Sequence, residues 1–313
     1  MSSKLNRKKL VESSCSTPNP PYGVDPKLTF YCPQENLEAL DIPVVKRFLS
    51  WAENDYAPTP AKKPAVLLLM PCQKVKPYAI SPEHLAINSH LLGCGYEPTE
   101  RGDWPDQIAE YASESLLSNG PLEGHGLRID RAVISEPFGF VPYSAMYHWN
   151  GKLSPCAQYD DPGLFSHRGL ACTWRSDNTA VPQDGKWRWG DNERAAYVEV
   201  HNRLAESMAK ALSRIASNYE AIYAYVAPAL THRSFIVDRA QSKAAGMSNS
   251  RRVGSQIVPL IGVNDLVPGL VDLVPDATQL ARLRTRMGGR LPAKLLSTDP
   301  ALTLLTNAIG GNR

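Results

Sequence analysis

The stretch Ala65-Val66-Leu67-Leu68-Leu69-Met70 is the strongest structural signal in the chain. These six consecutive apolar residues lie between Pro64 and Pro71, so the run is too short for an average helix. It is typical of a strand that is buried on both faces. Such strands occur mainly in parallel sheets whose faces are covered by helices, so we work outward from this segment as a buried strand of a layered fold.

The segments around this strand alternate between helical and strand patterns. Apolar spacing predicts helices over residues 43–55, 81–92, 104–118 and 191–217, with Ser81 and Asp191 as caps. Short apolar runs predict strands over residues 131–135 and 221–226, with weaker candidates at 236–237 and 257–261. This alternation favours an α/β fold with three layers, in which a mostly parallel sheet is flanked by helices.

Composition places the chain among ordinary globular proteins. Of its 313 residues, 43% are apolar and 21% are charged, which excludes disordered, collagen-like and disulfide-rich classes. The net charge of +3 is uneven, because residues 1–10 carry +4 and residues 239–313 carry +6, leaving −7 between them. Basic ends fit segments that bind a polyanion and fit solvated surfaces equally well.

Three segments follow from these patterns. We expect a mobile, basic and Pro-rich arm over residues 1–35, an α/β core over 36–238 and a basic C-terminal extension over 239–313. No apolar run reaches the roughly 18 residues of a membrane span, and the polar N-terminus is unlike a secretory signal. We therefore expect a cytoplasmic protein with no membrane partner.

The cysteines and histidines give no metal-binding pattern in the sequence. None of the six cysteines forms a Cys-x-x-Cys pair, and the histidines are scattered. We expect reduced thiols, no metal site and no cofactor. An important cysteine would then be either catalytic or buried.

Reactive side chains cluster in the loop after the first strand, where sites form in open parallel sheets. Cys72 follows the strand directly, and the charge of Lys76 would favour its thiolate. Ser81 begins a helix whose N-terminal amides can receive an anion, and His84 can carry protons near neutral pH. A buried structural cysteine and a simple helix cap are the alternative interpretation of the same residues.

The loop also carries a specific pattern. It fits Pro-Cys-x3-Lys-Pro-Tyr-x2-Ser-x2-His at all fixed positions, namely Pro71, Cys72, Lys76, Pro77, Tyr78, Ser81 and His84. This pattern resembles that of the core, lysine-inserting domain of archaeosine synthase. Looser similarities cover about residues 40–230: a strand and loop at 134–142 in which Glu136 departs from the family, the pair Tyr159-Asp160, and Gly185-Lys186-Trp187.

The resemblance implies a fold similar to that of uracil-DNA glycosylases. It also implies an activity, in which the side-chain amine of free lysine attacks the nitrile of 7-cyano-7-deazaguanine in tRNA or DNA and forms an amidine. Full archaeosine synthases carry a transglycosylase-like region and an RNA-binding domain that a chain of this length cannot hold. Whether a separate transglycosylase supplies the modified base stays open.

The expected roles follow from that chemistry. Cys72 would attack the nitrile, and His84 would carry the proton. Lys76 would stabilise the thiolate or bind phosphate. Ser81 would fix the loop or donate a hydrogen bond to the developing anion. Substrate contacts are expected from Tyr78, Glu136, Asp160 and Trp187, through the base, its guanine edge or the α-ammonium group of lysine. A phosphate track or a solvated helix face is expected from Arg282, Arg284, Arg286 and Arg290.

Two other functions remain open. An enzyme that exchanges or excises a modified base would cut a glycosidic bond and leave the nitrile untouched, but it would leave Cys72 unexplained. A non-catalytic nucleic-acid-binding module would bind without chemistry. The complete set of reactive residues in the loop argues against such a module.

Overall fold

The computed structural model describes residues 6–16, 22–162, 171–184, 186–228 and 231–311. Within these residues, seven strands form one mixed sheet: β1 (Ala65–Pro71), β2 (Glu97–Pro98), β3 (Leu122–Gly124), β4 (Leu127–Ser135), β5 (Gly139–Pro142), β10 (Ala221–Tyr225) and β13 (Asp272–Val274). Their order is β13-β10-β1-β4-β3-β2, with β5 also paired to β4. The four strands β13, β10, β1 and β4 are parallel, and β3, β2 and β5 add antiparallel pairs.

In the part of the chain that the structure describes, three two-stranded antiparallel pairs lie outside this sheet. Their strands are β6 (His148–Trp149), β7 (Lys152–Leu153), β8 (Val181–Gln183), β9 (Lys186–Arg188), β11 (Ser250–Val253) and β12 (Gln256–Pro259). The helices are α1 (Arg7–Cys15), α2 (Pro33–Ala39), α3 (Pro43–Asn54), α4 (Pro82–Gly93), α5 (Glu114–Leu117), α6 (Asp191–Ile215), α7 (Thr231–Ser234), α8 (Arg239–Ala244), α9 (Val263–Leu266), α10 (Ala277–Arg286) and α11 (Asp299–Gly310).

Alternate residues of the parallel strands enter two different cores. Leu67 and Leu69 of β1 pack with the apolar face of α6, including Leu204 and Met208. Leu68 belongs to the opposite core, to which α4 and α11 contribute. Because both faces of the sheet are covered, β1 carries apolar side chains at every position, as its sequence predicted. The α/β fold with a mostly parallel sheet flanked by helices is therefore confirmed.

Most predicted elements occur close to their expected positions. The helices expected at 43–55 and 81–92 are α3 and α4, and Ser81 is the N-cap of α4, where its Oγ accepts from the amide of His84 at 3.3 Å. The long helix begins at Asp191 as its first residue, with Gly190 at the N-cap. The strands expected at 131–135 and 221–226 are β4 and β10.

Two predicted elements were wrong. Residues 104–118 form a 3-10 turn and the short α5 with turns between them, and Trp104, Ile108 and Leu117 are each buried in the core from this irregular path. Ile236 and Val237 are buried but form no strand, since the carbonyl of Ile236 accepts from Asn264 at the start of α9. The weak candidate at 257–261 corresponds to β12, in a hairpin outside the main sheet.

The expected boundaries at residues 35 and 238 stay predictions, but both end segments contribute to the core. Leu28 and Phe30, from the arm that we expected to be mobile, are buried in the same core as β1. The expected basic extension supplies the edge strand β13 and the helix α11, whose Leu305 is fully buried. Packing of these apolar side chains makes part of each segment integral to the fold.

None of the helices among the described residues has the length and apolar character needed to cross a membrane.

Candidate active site

The carboxyl ends of β1 and β10 bring a thiol and an imidazole together. Cys72 follows β1, and His232 lies in α7, which comes soon after β10. Because β1 and β10 are neighbouring parallel strands, the segments that leave them meet at one edge of the sheet. The Sγ of Cys72 lies 3.0 Å from the Nε2 of His232, and both side chains are buried.

Neighbours of His232 fix the short helix α7 in place. The guanidinium of Arg233 is buried and donates to the carbonyls of Val226 and Pro275, at 3.1 and 2.8 Å, which lie at the ends of β10 and β13. Ser234 Oγ lies 2.9 Å from Nε2 of His201 on α6. His232 is therefore held on Cys72 by hydrogen bonds of the two residues that follow it in the sequence.

Burial keeps the pair neutral. It raises the pKa of the Cys72 thiol well above its usual range, and the charge of Asp161 adds to this effect while that of Lys76 opposes it. Burial lowers the pKa of His232 to about 3, with a smaller contribution from His84. At neutral pH the thiol donates to an uncharged imidazole, and the pair is not a preformed thiolate and imidazolium.

Two carboxyl groups are buried beside this pair. Both oxygens of Glu136, which follows β4, and Oδ2 of Asp161 have no hydrogen-bond partner among the described residues. Burial raises the pKa of Glu136 to about 8. It also raises that of Asp161, an effect that the charge of Lys76 opposes and that of Glu136 reinforces. Polar atoms buried without partners are costly, so this arrangement is typical of a site that receives a polar ligand.

Lys76 is the buried cation of this cluster. Its Nζ lies 4.0 Å from the centre of the Tyr159 ring, and the side chain is 1% exposed. The charge of Lys76 favours ionisation of both Cys72 and Asp161. It therefore balances the negative charge that would develop when either group loses its proton.

Three hydroxyl groups of the cluster lie within hydrogen-bond distance of one another. The Tyr78 hydroxyl lies 2.9 Å from Ser135 Oγ and 3.1 Å from the Tyr159 hydroxyl, and Ser135 and Tyr159 are 2.9 Å apart. All three side chains are buried. The Tyr78 hydroxyl is thus occupied by contacts within the protein, and its ring stacks with that of His84, with the ring centres 5.9 Å apart.

Both ring nitrogens of His84 have partners in the protein. Nε2 lies 2.9 Å from the carbonyl oxygen of Pro71, which can only accept, so this nitrogen carries the proton. Nδ1 then accepts from the Tyr143 hydroxyl at 2.6 Å. Burial lowers the pKa of His84 to about 4. The neutral ring is therefore placed to hold the backbone next to Cys72.

The remaining predicted loop residues have distinct positions. Ser81 is fully buried as the cap of α4. Oδ2 of Asp160 accepts from Ser14 Oγ at 2.7 Å, and its backbone pairs with Thr29. Asp160 is thus directed toward the N-terminal segment, while its neighbour Asp161 belongs to the buried cluster. Gly185, part of the looser similarity, lies outside the described residues.

A basic and aromatic cavity opens near the same edge of the sheet. Its volume is about 760 Å³, and it is lined by Gln183, Asp184, Lys186, Trp187, Arg188, Trp189, Arg194 and Arg251. The Arg251 guanidinium lies 5.4 Å from the centre of the Tyr197 ring, at the N-terminal end of α6. Trp187 therefore lies in a cavity with four cationic side chains.

A second cavity, of about 460 Å³, shares Arg251 with the first. Its lining includes Thr231 and Ser234, which flank His232 in the sequence, and Arg284. This cavity therefore opens at α7, the helix that carries His232. Arg282, Arg284 and Arg286 are exposed on α10, and Arg290 is exposed beyond its end. Of these four, Arg284 lines the second cavity.

Sequence reasoning missed His232, Asp161 and Arg251. A usable signal existed for His232, because Thr231-His232-Arg233-Ser234 follows the third predicted strand at the expected edge of the sheet. No comparable signal separated Asp161 from Asp160 or marked Arg251. Donor atoms that could share a metal ion lie in a different place, at Cys32, Glu35 and Cys172.

Comparison of the chain with protein-family models, with curated proteins and with solved structures gives no match.

Proposed function

We propose that this protein modifies a nitrile-bearing 7-deazaguanine base in a nucleic acid, joining the side-chain amine of free lysine to the nitrile carbon. The observation that carries the proposal is the 3.0 Å contact that His232 makes with Cys72, since Cys72 belongs to the loop that resembles the lysine-inserting domain of archaeosine synthase. A nitrile is a modest electrophile, and a thiol with an adjacent base is a suitable nucleophile for it. We also infer a likeness to the uracil-DNA glycosylase fold, which the α/β layering supports.

The first step is addition of the thiol. His232 Nε2 takes the proton of Cys72 as Sγ bonds to the nitrile carbon, and one π bond of the nitrile breaks. The same proton then passes from Nε2 to the nitrile nitrogen, which gives a covalent thioimide. Lys76 balances the charge that develops during this transfer. His232 takes the proton role that the sequence suggested for His84, whose nitrogens are both occupied.

The second step releases the product. The neutral amine of lysine adds to the thioimide carbon, the C–S bond breaks, and the proton lost by the amine returns to Cys72. The product is an amidine that contains all atoms of the nitrile and of lysine. No oxidant, reductant or cofactor is needed for this balance.

We assign recognition of the base to the buried carboxyl groups of Glu136 and Asp161, which have oxygens without a hydrogen-bond partner among the described residues. The Watson–Crick edge of a guanine-type base presents two neighbouring N–H donors, which an ionised carboxylate accepts. Binding of the base would therefore favour ionisation of Glu136, which burial opposes in the free protein. Glu136 has both oxygens available among the described residues and lies near the reactive pair, since its charge acts on Cys72. Asp161 takes the place of Asp160 as the candidate for the lysine ammonium group or for the base.

Nucleic acid is assigned to the basic surface around Arg251. Arginines and accessible indole rings together bind phosphates and stacked bases. The first cavity offers both, with the partly exposed Trp187 and Trp189, and the second adds Arg284. Because Cys72 is 2% exposed, the base must leave its stack and the protein must open to admit it. Both tRNA and DNA stay candidates, and a separate transglycosylase would supply the modified base.

Lysine transfer is the direct test. The protein is incubated with tRNA and with DNA that carry 7-cyano-7-deazaguanine and with labelled lysine, and the nucleosides are analysed by mass spectrometry. We expect a mass gain of one lysine in the wild type and in Cys94→Ser, a matched control outside the cluster, but none in Cys72→Ser. Absence of transfer to both substrates by folded protein rejects the function, and full activity of Cys72→Ser rejects the thioimide.

A second function is favoured by the two buried carboxyl groups. The charge of Glu136 raises the pKa of Asp161, and two neighbouring carboxyl groups act as acid and base on glycosidic bonds. A base-exchanging or base-excising enzyme would release the free modified base in the same incubation. It would lose this release in Glu136→Gln and retain it in Cys72→Ser.

A further inference from the structure

A second group of reactive side chains lies apart from the buried pair. Cys32, Glu35 and Cys172 are all buried, and one donor atom from each lies within 4.8 Å of the others. The thiol of Cys172 is close enough to that of Cys32 for a hydrogen bond, which is the main cause of its raised pKa. Two thiols and a carboxylate therefore converge in one small volume.

Local structure explains this convergence. Cys32 is the N-cap of α2 and Glu35 lies in the first turn of that helix, so the two side chains share one end of it. Cys172 comes from the loop that precedes β8 and meets them from the other side. Tyr31 and Trp174 pack against the thiols, with their rings in an edge-to-face arrangement at 6.3 Å. The donors are thus enclosed by apolar groups.

We propose that Cys32, Glu35 and Cys172 bind one zinc ion. Thiolate sulfur and carboxylate oxygen are both zinc ligands, and their distances from the metal are about 2.0–2.3 Å. Ligand atoms of one tetrahedral site are then about 3.3–3.8 Å apart, which a small contraction of this group reaches. Zinc binding displaces the proton of each thiol, and a water molecule takes the fourth position.

The contacts of Glu35 suit a metal ligand. Its Oε1 accepts from Arg7 Nε at 3.0 Å and its Oε2 accepts from the amide of Tyr31 at 2.8 Å. A carboxylate has about four acceptor positions, so each oxygen keeps one for a metal. Ligating carboxylates are usually oriented by outer hydrogen bonds of this kind. Arg7 is thus a positioning residue for the proposed site.

The proposed ion would connect two distant parts of the chain. It would tie the N-terminal helices to Cys172, which comes later in the chain than Asp160. The backbone of Asp160 pairs with Thr29, and its side chain contacts Ser14. These contacts already join the same two parts near the site. We therefore expect metal binding to stabilise this side of the molecule.

Metal content tests the proposal without any enzyme assay. The full-length protein is analysed for metals as purified, then stripped with a chelator and titrated with Zn²⁺ and with Co²⁺, whose thiolate complexes absorb in the near ultraviolet. We expect one ion per chain, release of protons on binding and a higher melting temperature. Cys32→Ser and Cys172→Ser should each weaken binding by at least tenfold, and Arg7→Ala by about 10-fold to 100-fold.

Cys94→Ser is the matched control. Cys94 Sγ lies 3.8 Å from His90 Nε2, and these two atoms form another pair of possible zinc ligands. This variant should bind zinc like the wild type. Three results overturn the proposal: no bound metal in any preparation, a cobalt spectrum unchanged by both cysteine variants, or a Cys32–Cys172 disulfide in protein that binds no metal. Failure of lysine transfer has no bearing on these results, so the two proposals are tested separately.

Discussion

The thiol of Cys72 and Nε2 of His232 lie 3.0 Å apart although 160 positions separate the two residues in the sequence. Both groups are uncharged at neutral pH, because burial opposes ionisation of each. The sulfur of an uncharged thiol is a weak nucleophile, and here it becomes reactive only as the substrate accepts its electrons. Its chemistry therefore depends on transfer of the proton to His232 during attack.

Removal of the base should reduce activity more than it reduces stability. We expect His232→Gln, which keeps a polar side chain of similar length, to lower the rate of lysine transfer by about 10²-fold to 10⁴-fold. The covalent adduct with the nitrile, measured by intact mass, should form more slowly by the same factor. His84→Gln is the comparison, and it should alter stability through the lost contact with Pro71. An equal loss of adduct formation in both variants would contradict the role given to His232.

The neutral state of Cys72 predicts low reactivity toward alkylating reagents. Thiolates react and thiols do not, so a buried thiol with a raised pKa should be modified slowly at pH 7. The exposed Cys15 should be modified first and the partly exposed Cys94 next. Peptide mass spectrometry of iodoacetamide-treated native protein measures this order. Rapid modification of Cys72 would show instead that the thiolate is already formed at rest.

The sequence was sufficient for the framework of the fold. The apolar run at 65–70 and the cap at Ser81 are local features, and both elements form where their residues predict them. The helix expected at 104–118 failed because tertiary burial of Trp104 and Ile108 outweighed local spacing. Local patterns do not contain such contacts.

The site could be predicted only in part, for a related reason. Cys72 and Lys76 occur in one loop, and their proximity is visible in the sequence. The contacts with His232 and Asp161 depend on which strands are neighbours and on which side chain of an Asp-Asp pair turns inward. The sheet order determines which strands are neighbours, and the bridge between Thr29 and Asp160 determines which aspartate turns inward.

Lys76 and Asp161 should depend on each other for stability. Lys76→Met removes the cation that favours ionisation of the buried Asp161. At a pH at which Asp161 is ionised, the variant therefore holds an unbalanced buried charge, and we expect a loss of about 3–5 kcal/mol in the free energy of unfolding. The double variant Lys76→Met with Asp161→Asn should recover most of that loss, because no charge then remains unbalanced. Urea unfolding of the two single variants and the double variant measures the coupling. Additive losses would show that the two groups do not interact.

Glu136 should make the protein less stable as the pH rises. Its pKa is raised by burial to about 8 in the folded state, whereas an unfolded glutamate titrates near 4.5. The folded protein therefore binds more protons between these values, and the stability present below pH 4.5 is lost as the pH rises through 8. The lowered pKa values of His84 and His232 act in the opposite direction, but only below about 6.5.

The useful window for this measurement is therefore about pH 6.5–8. There the free energy of unfolding should fall by up to about 1.4 kcal/mol per pH unit through Glu136, with Asp161 adding to the slope. Glu136→Gln should remove its share of the slope and be more stable than the wild type at pH 8. Identical slopes in the two proteins would show that Glu136 is ionised in the fold.

Arg251 should contribute to nucleic-acid binding, since it lines both cavities. A side chain that neutralises one phosphate releases one counterion, so Arg251→Ala should reduce the slope of log affinity against log salt by about 0.7–0.9. Lys62→Ala is the matched control, because Lys62 is exposed just before β1, at the opposite end of that strand from Cys72. Fluorescence anisotropy with labelled tRNA and single-stranded DNA at several salt concentrations gives the slopes. Equal slopes for Arg251→Ala and the wild type, with a reduced slope for Lys62→Ala, would place the nucleic acid at the other edge of the sheet.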